Sequence, residues 1–335
     1  MRRFAITGFP GWLSSALLDS FVADPHADLN SIYFLSHSLS VAAAREQAAG
    51  LPFASSVVPF DLVRVDKDAK LALAGVDTLV HTAGLIHVRR TADWYRVNTA
   101  GTIALANAAK TAGVRRFVFI SSIAAAGKSR PGRPLVEADE PRPAHHYGKS
   151  KLLAERGLLA LHEPGSFDVV ILRPSMFYGP PVPARHIEIY KRLLHGWMPL
   201  IGGGSYERCL IYVDNLVQAV RLAIASPHAP GQTYFIADRK IYTTYEVVEA
   251  MAEALGTRAR YLRLPAAVAE TAYQVDRMIS AAGVYIAPIH LIGESHWHQA
   301  ASCQKAIDEL GYDPKVELAE GMRHAIEWCR GRKAL

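Results

Sequence analysis

The sequence has few cysteines and no apolar run long enough to cross a bilayer. Its three cysteines, Cys209, Cys303 and Cys329, are far apart and include no Cys-x-x-Cys pair. This spacing argues against a disulfide framework and against a thiolate zinc site. The chain opens into the apolar residues 3–7 without a signal sequence. We therefore expect a cytoplasmic protein with no integral membrane segment.

Charge of one sign is not concentrated anywhere in the chain. The 335 residues include 37 Lys and Arg against 31 Asp and Glu, a net charge of +6. The basic residues come singly or in pairs such as Arg89-Arg90, so no basic stripe typical of nucleic-acid binding stands out. We predict no nucleic-acid partner and assign part of the excess charge to binding an anionic cofactor.

The pattern of apolar residues indicates an α/β fold. Half of the residues are hydrophobic and a fifth are charged, a composition typical of a globular chain with one large domain or two unequal lobes. Short apolar runs near residues 4–7, 32–35, 56–59, 78–81, 117–121 and 169–172 alternate with amphipathic stretches that begin near Ser14, Val41, Lys67, Tyr95 and Tyr147. Alternating strands and helices predict a parallel, doubly wound sheet with its ligands at the carboxyl ends of the strands.

Two stretches suggest chemistry at those strand ends. Gly8 and Gly11 follow the first strand, where a backbone must approach a pyrophosphate closely; the alternative is an ordinary tight turn. Tyr147 and Lys151 are four residues apart, which places phenol and ammonium on one face of a helix. A nearby cation favours phenolate and lowers the pKa of a tyrosine, so the pair predicts proton transfer. Ser122 ends an apolar run and can polarise a carbonyl beside the tyrosine.

The order and spacing of these stretches resemble the short-chain dehydrogenase/reductase superfamily. The matching features are the glycine turn, residues 80–84, Asn98, the serine pair 121–122, and Tyr147 with Lys151. Residues 147–151 followed by 172–180 narrow the resemblance to the extended branch, which holds nucleotide-sugar epimerases and dehydratases, 3β-hydroxysteroid dehydrogenases and dihydroflavonol-type reductases. The resemblance covers nearly the whole chain. It implies a Rossmann-type domain over residues 1–175, to which the chain returns at about 210–240, and a mainly substrate-binding lobe over residues 176–335.

The resemblance also implies roles for individual residues. Tyr147 would be the general acid/base, Lys151 would lower its pKa and hold the nicotinamide ribose, and Ser122 would orient the carbonyl. Ser122 is preferred over Ser121 because the family places this hydroxyl five residues before a glycine, here Gly127. The residues implied in cofactor binding are Gly8, Phe9, Pro10, Gly11, Trp12, Leu13, Ser36, His37, Ser38, Asp61, Leu62, Thr82, Ala83, Gly84, Asn98, Tyr147, Lys151, Pro174, Ser175, Met176 and Phe177. Those implied in substrate binding are Ser122, Met176 and Arg208.

Two positions depart from the family pattern. The third glycine of the turn is replaced by Ser14, which can cap the helix. The second strand ends in Ser36-His37-Ser38, where NAD-preferring relatives carry an acidic residue. Without a carboxylate to repel a 2′-phosphate, NADP is the predicted cofactor and NAD is the alternative.

Several further features have a structural and a functional interpretation. Arg208 lies where nucleotide-sugar enzymes grip a diphosphate, or it pairs with Asp214 or another carboxylate. Residues 265–283 read as an amphipathic helix that roofs an apolar pocket, rests on a membrane surface or packs in the core.

The histidines favour structural roles. We expect His81 to be a packed core residue, and His145 and His146 to be solvated loop residues. A metal site could be formed by His290, Glu294, His296 and His298, because a His-x-His pair on a strand can chelate an ion. No carboxylate or thiolate cluster elsewhere in the sequence completes the ligand set. We predict no metal.

The function predicted from the sequence is an NAD(P)-dependent interconversion of a ketone and a secondary alcohol. The substrate would be a hydrophobic or medium-sized small molecule, steroid- or dihydroflavonol-like. A nucleotide-sugar epimerase or dehydratase is the alternative within the enzymes, and a homodimer is compatible with either. A non-catalytic NADP-sensing regulatory protein is the alternative of another class, against which the intact set of Ser122, Tyr147 and Lys151 argues.

Overall fold

The computed structural model describes residues 2–24, 29–65, 71–195 and 197–335. Its strands are β1 (Arg2–Thr7), β2 (Leu29–Ser36), β3 (Ala54–Pro59), β4 (Thr78–His81), β5 (Arg116–Ile120), β6 (Asp168–Pro174), β7 (Met176–Tyr178), β8 (Trp197–Ile201), β9 (Glu207–Arg208), β10 (Leu210–Tyr212), β11 (Thr233–Ile236), β12 (Tyr242–Thr243) and β13 (Arg260–Leu264). Each of the six strands predicted from the apolar runs is present, with ends that differ by a few residues.

The described residues also contain twelve α-helical segments. They are α1 (Trp12–Val22), α2 (Val41–Ala48), α3 (Thr91–Trp94), α4 (Thr102–Thr111), α5 (His146–Leu161), α6 (Ala184–His195), α7 (Val213–Ala225), α8 (Thr244–Leu255), α9 (Ala266–Ala281), α10 (Ala287–Glu294), α11 (Gln304–Leu310) and α12 (Leu318–Gly331). A π-helical turn, Tyr95–Gly101, joins α3 to α4. The helix predicted to begin near Lys67 falls outside the described residues. None of the described helices combines the length and the apolar character needed to cross a bilayer.

The central sheet has seven strands in the order β11-β6-β5-β4-β1-β2-β3, and neighbouring strands are parallel. The predicted doubly wound parallel sheet is therefore confirmed. The strand order reverses between β1 and β4, so a crevice opens at their carboxyl ends. The chain returns to this sheet late, because β11 pairs with β6.

Both faces of the sheet are covered by apolar side chains, which explains why its inner strands are continuous apolar runs. Alternate residues of a strand point to opposite faces. Val118 and Val170 therefore belong to one hydrophobic cluster, and Phe117 and Ile171 belong to the other.

The second half of the chain adds a smaller layer over the strand ends. β7 pairs with β10 and β8 with β13, both parallel, while β9 pairs with β12 antiparallel. The link between α9 and α10 is fixed to the residues before α3, because Thr91 N donates to the Gly283 carbonyl and Tyr285 N to the Arg89 carbonyl. The two helices thus lie close to the edge where the site was predicted.

Helix α9 occupies the segment that the sequence predicted as helical, but it is not packed in the core. Its buried residues are Ala269 and Asp276. Met278 is 75% exposed, and Val268 and Val275 are also exposed. The helix therefore presents an inward carboxylate and an outward apolar surface.

Candidate active site

The turn after β1 has the close approaches that a dinucleotide-binding turn needs. Gly8 has a left-handed φ of 80°, and a Cβ there would lie 2.8 Å from Thr82 Oγ1 and 2.9 Å from Ala83 N. Gly11 is the N-cap residue of α1. A side chain at Gly8 would fill the space between the ends of β1 and β4, where the backbone can otherwise approach a phosphate.

Ser14 replaces the third glycine without acting as the helix cap. The residue is fully buried, and its Oγ lies 3.1 Å from the Gly8 carbonyl and 2.9 Å from the Gly11 carbonyl. The hydroxyl therefore donates toward the turn and accepts no amide. Ser14 ties the turn to α1, and the cap position belongs to Gly11.

The remaining residues implied at the first turn pack around it. Phe9 is buried and stacks on Phe34 with ring centroids 4.0 Å apart. Leu13 is buried, and Trp12 packs against Phe177 at 4.4 Å. Phe177 follows β6, so the structure brings two implied cofactor segments into contact.

The ends of β2 and β3 lie side by side. Phe60 N donates to the Ser36 carbonyl at 2.7 Å. Ser36 is buried, whereas His37 and Ser38 are exposed. An imidazole and a hydroxyl therefore stand in solvent at the position implied for the adenosine ribose.

Asp61 and Leu62, both implied in cofactor binding, follow β3 after Phe60. Asp61 is exposed, and its Oδ1 accepts from Val63 N at 2.9 Å. Leu62 is buried against the π-helical turn, because a Cβ at Gly101 would lie 2.5 Å from the Leu62 carbonyl oxygen. Asp61 therefore faces solvent, and Leu62 packs against the π-helical turn.

Gly84, Asn98 and Lys151 meet at the end of β4. A Cβ at Gly84 would lie 3.2 Å from Asn98 Oδ1 and 3.4 Å from Lys151 Nζ. Asn98 Oδ1 accepts from Leu85 N at 2.8 Å, and its Nδ2 donates to the Leu85 carbonyl at 2.9 Å. The amide lies in the π-helical turn, a type of distortion that is frequent at functional sites. Asn98 thereby fixes the strand exit beside Lys151.

The two adjacent serines after β5 have different surroundings. Ser121 Oγ donates to Glu155 Oε1, and Arg173 Nη2 donates to Glu155 Oε2 at 2.7 Å. This group of three is buried. Ser122 instead accepts from Ala124 N at 3.2 Å and lies close enough to Tyr147 to lower the pKa of its phenol. Ser121 is held in a buried network, so Ser122 is the hydroxyl beside the tyrosine.

The pKa of Tyr147 is higher in the structure than the sequence predicted. Burial raises the pKa of Tyr147 above its ordinary 10.0, while the nearby Ser122 hydroxyl and the positive charge of Arg185 act to lower it. The expected lowering by Lys151 is not found, because Lys151 Nζ donates to the Ile120 carbonyl at 2.9 Å and lies over the Phe119 ring. The phenol is consequently protonated at neutral pH.

The Lys151 ammonium is itself perturbed. Burial lowers the pKa of Lys151 to about 8, although the nearby Glu155 carboxylate raises it. The side chain is 5% exposed. Lys151 is thus a buried ammonium group whose pKa, about 8, lies close to neutral pH.

Residues 174–177 continue from β6 along the same edge. Pro174 and Ser175 are buried, and Met176 is 52% exposed. Together with Phe177 they add a mostly apolar wall to the crevice.

Aromatic side chains surround Tyr147. Its ring centroid is 6.3 Å from that of Trp94 and 6.1 Å from that of His145. Trp94 packs on Tyr285 at 4.8 Å, and His145 stacks on Trp297 at 6.1 Å. The surface around the Tyr147 phenol is therefore largely aromatic.

His145 and His146 are not the solvated loop residues that the sequence suggested. His145 is the N-cap residue of α5, and its Nε2 is 2.8 Å from Glu294 Oε1. His146 Nδ1 is 2.7 Å from the Tyr95 hydroxyl. The prediction fails because α10 packs over the start of α5.

The other histidines are also accounted for. His81 is fully buried between Thr7 Oγ1 at 2.7 Å and Thr102 Oγ1 at 2.9 Å, and burial lowers its pKa to about 3. It is a packed core residue. His296 and His298 follow α10 in a turn and an irregular segment, so they do not lie on a strand from which a His-x-His pair could chelate.

Arg208 lies at the end of α10. Its Nη2 donates to the carbonyls of Glu294 at 3.2 Å and Ser295 at 3.1 Å, and its Nη1 donates to the carbonyl of Trp297 and, at 3.5 Å, to that of Glu207. Among the described residues these carbonyls, rather than Asp214, are the partners of the guanidinium. The arginine therefore satisfies the C-terminal carbonyls of a helix.

Sequence reasoning missed the pair of Glu155 and Arg173. Two signals were available: Glu155 lies one helical turn after Lys151, and Arg173 stands in an apolar strand where a buried charge requires a partner. The aromatic residues around Tyr147 gave no comparable signal, because they come from distant segments.

The residues at this edge fit a dinucleotide. The cradle at Gly8 admits a backbone approach, small residues follow β4, and a buried cation and a phenol lie at the adjoining strand ends. Every residue implied in cofactor binding lies on β1, β2, β3, β4, β6 or β7, in the turns that follow these strands, or on the helices and the π-helical turn that face their ends.

The chain matches the model of the NAD dependent epimerase/dehydratase family over residues 4–237. It is 32% identical to UDP-glucose 4-epimerase of Vibrio cholerae, over 79% of this chain and 79% of that protein. It is 28% identical to the 4-hydroxy-2-methyl-3-oxo-4-farnesyl-3,4-dihydroquinoline-1-oxide ketoreductase of Stigmatella aurantiaca, over 96% of this chain and 95% of that protein.

The fold is also similar to that of solved enzymes. The crystal structure of DesIV, a dTDP-glucose 4,6-dehydratase from Streptomyces venezuelae with NAD and TYD bound, has a TM-score of 0.80 at 23% identity, covering 99% of this chain and 98% of that chain. The family match, the strand topology and the residues at the strand ends agree with one another. The chain belongs to the NAD dependent epimerase/dehydratase family and is an enzyme of the extended short-chain dehydrogenase/reductase superfamily.

Proposed function

We propose that the enzyme is an NADP-preferring oxidoreductase that interconverts a ketone and a secondary alcohol on a hydrophobic or medium-sized substrate. The observation that carries the proposal is the environment of Arg208, whose guanidinium already donates to four backbone carbonyls, three of them at the end of α10. A guanidinium used in this way is a poor ligand for a diphosphate. The surface around Tyr147 is aromatic instead, which favours an apolar substrate.

The acid/base residues suit reduction. A nicotinamide bound at the strand ends supplies or accepts the hydride. Burial keeps Tyr147 protonated at neutral pH, so its phenol can donate a proton to the oxygen of a ketone. Ser122 lies beside that phenol and orients the same oxygen, while the Lys151 ammonium holds the ribose. Oxidation of an alcohol uses the same residues in reverse.

The direct test is turnover of the purified protein. We expect it to consume NADPH stoichiometrically with an apolar ketone from a panel of ketones. Tyr147→Phe should lower turnover by a factor on the order of a hundred or more while cofactor affinity stays within a few-fold. Tyr95→Phe is the matched control, because it removes a neighbouring phenol that contacts only His146 among the described hydrogen-bond partners. Near-normal activity of Tyr147→Phe would refute the assignment.

The NADP preference is supported by the exposed His37 and Ser38 at the end of β2. We expect NADPH to bind several-fold more tightly than NADH in a fluorescence titration. His37→Asp places a negative charge beside the 2′-phosphate and should narrow or reverse that ratio. Equal affinities in the starting protein would contradict the preference.

A nucleotide-sugar epimerase or dehydratase is the second candidate. Two cations favour it: Lys128 Nζ lies 3.7 Å from the Trp297 ring centroid, and the charge of Arg185 acts on Tyr147. The Vibrio cholerae relative is a UDP-glucose 4-epimerase. Calorimetry with uridine and guanosine diphosphates separates the candidates, since the reductase should bind neither. Micromolar binding that disappears in Arg208→Ala would replace the reductase with the nucleotide-sugar enzyme.

A further inference from the structure

Three side chains from two distant segments meet above Tyr147. His145 Nε2 lies 2.8 Å from Glu294 Oε1, and His290 Nε2 lies 3.2 Å from the same oxygen. The ligand atoms of the three residues are all within 4.8 Å of one another, and the two imidazole rings are almost perpendicular, at 88°. In the part of the chain that the structure describes, this is the one group of three or more such side chains.

These spacings suit a tetrahedral metal ion. Zinc binds nitrogen and oxygen ligands at about 2.0–2.2 Å, so two ligand atoms of a tetrahedral site are about 3.3 Å apart. The 3.2 Å contact between His290 and Glu294 matches that spacing, whereas the 2.8 Å contact between His145 and Glu294 is a hydrogen-bond distance that would lengthen on metal binding. Two histidines and one glutamate also form a recurrent zinc ligand set with a fourth position left open.

A fourth residue, Asp276, orients the set. His290 Nδ1 lies 2.8 Å from Asp276 Oδ2, and both side chains are buried. A proton on Nδ1 that is donated to a carboxylate leaves the Nε2 lone pair free for a metal, and metal-binding histidines usually have such a partner. The inward carboxylate of α9 thus has a role that core packing of an apolar helix does not explain.

His145 fits less well than His290. Gly148 N lies 3.4 Å from His145 Nδ1 and donates toward it. A metal at Nε2 would require a proton on Nδ1, which would replace this long contact. His145 should accordingly be the weakest of the three ligands.

We propose that His145, His290 and Glu294 form a divalent-metal site, suited to zinc, with Asp276 holding His290 in the ligating tautomer. The ion would join α10 of the smaller layer to the first turn of α5, where Tyr147 lies two residues after His145. Its role would be to hold the roof over the substrate crevice. The inference does not depend on which substrate the enzyme takes.

Cobalt and zinc binding to the tag-free, chelator-treated full chain tests the proposal. We expect one Co²⁺ per chain with the visible absorption of a tetrahedral ion, and displacement of that ion by Zn²⁺ in a competition titration. Glu294→Gln keeps the side-chain volume and should abolish the spectrum. Asp276→Asn should weaken affinity by about 10–100-fold, as loss of an outer-sphere partner does.

His296→Ala is the matched control, because this histidine contacts Glu270 at 3.1 Å on the same surface without joining the group of three. The control should bind metal like the starting protein. Circular dichroism of each metal-free variant checks that it is folded, and if one variant fails to fold, the starting protein and Glu294→Gln decide. Absence of a tetrahedral cobalt spectrum in the starting protein, or an unchanged spectrum in Glu294→Gln, would overturn the proposal.

Discussion

At the scale of single residues, neighbouring side chains with the same chemistry have different functions because they face different surroundings. Ser121 and Ser122 differ by one position, yet Ser121 bonds the buried Glu155 and Ser122 lies beside Tyr147, where it acts to lower the pKa of the phenol. Successive residues at a strand end point to opposite sides of the strand. The Ser121 hydroxyl therefore points toward the buried Glu155 of α5, and the Ser122 hydroxyl points toward the crevice.

The serine pair therefore predicts two different losses. Ser122→Ala should lower turnover by roughly 10–100-fold with little change in stability, because it removes a hydrogen bond to the reacting oxygen. Ser121→Ala should lower the free energy of unfolding by about 1–3 kcal/mol, because it leaves a buried carboxylate short of a donor. Steady-state kinetics and urea denaturation of both variants measure the two effects. The same pattern of losses in both variants would contradict the assignment.

Asp238 predicts a pH dependence of stability. Burial raises the pKa of Asp238 to about 6, and its Oδ1 accepts from Asn215 Nδ2 at 2.9 Å. The folded pKa is above the unfolded value of about 3.9, so the protonated form is favoured in the fold. This contribution is fully present below about pH 4 and is lost as the pH rises through about 6.

Asp238→Asn should remove this loss of stability at rising pH, because asparagine does not ionise. Relative to the starting protein, the variant should gain stability as the pH rises from about 4 to about 7, by up to about 3 kcal/mol. The asparagine keeps an oxygen for Asn215. Urea denaturation at several pH values gives the difference between the two proteins, and a difference independent of pH would exclude this role for Asp238.

At the scale of elements, two side chains at positions that the sequence patterns associate with function instead bond backbone groups at the ends of helices. Ser14 lies in the first turn of α1 and bonds the preceding loop, and Arg208 bonds the carbonyls at the end of α10. Helix ends leave unpaired backbone groups, so a buried end needs such partners.

Arg208→Ala should cost stability more than substrate affinity. Four carbonyls would lose a charged donor, and we expect the free energy of unfolding to fall by about 2–4 kcal/mol. Arg208→Lys keeps the charge but reaches fewer carbonyls and should lose less. Denaturation midpoints and the KM for the ketone separate the two effects. A large rise in KM at unchanged stability would instead assign Arg208 to the substrate.

At the scale of the whole molecule, the sequence predicted the sheet well and the layer above it poorly. Inner strands such as β4 and β5 are buried on both faces and therefore appear as apolar runs. The short pairs β8–β13 and β9–β12 have no such pattern, because their burial depends on distant segments.

The same distinction holds within the site. The residues that follow sheet strands could be placed from motif order, since parallel strands end at one edge. The raised pKa of Tyr147 and the meeting of His145 with His290 could not be predicted, because both depend on how distant segments pack together. Local spacing carries no information about such packing.

One hydrophobic cluster joins the two halves of the chain. It includes Ile6 and Leu17 of the first strand and helix as well as Ile211, Leu216 and Ile326 of the later elements. Lobes that share a core of this kind do not have separate interiors. We therefore expect the enzyme to unfold in a single cooperative transition rather than lobe by lobe.

NADPH should then stabilise the entire molecule although its site lies at the sheet. A ligand at about 100 times its Kd adds about 2.7 kcal/mol to the folded state, so the one transition should move upward as a unit. Calorimetry and near-ultraviolet circular dichroism should report the same midpoint with and without NADPH. Leu17→Ala in α1 and Ile326→Ala in α12 each remove a buried side chain of the shared cluster, and both should lower that single midpoint. Two transitions, of which NADPH shifts only one, would mean that the two halves fold independently and that the shared cluster does not couple them.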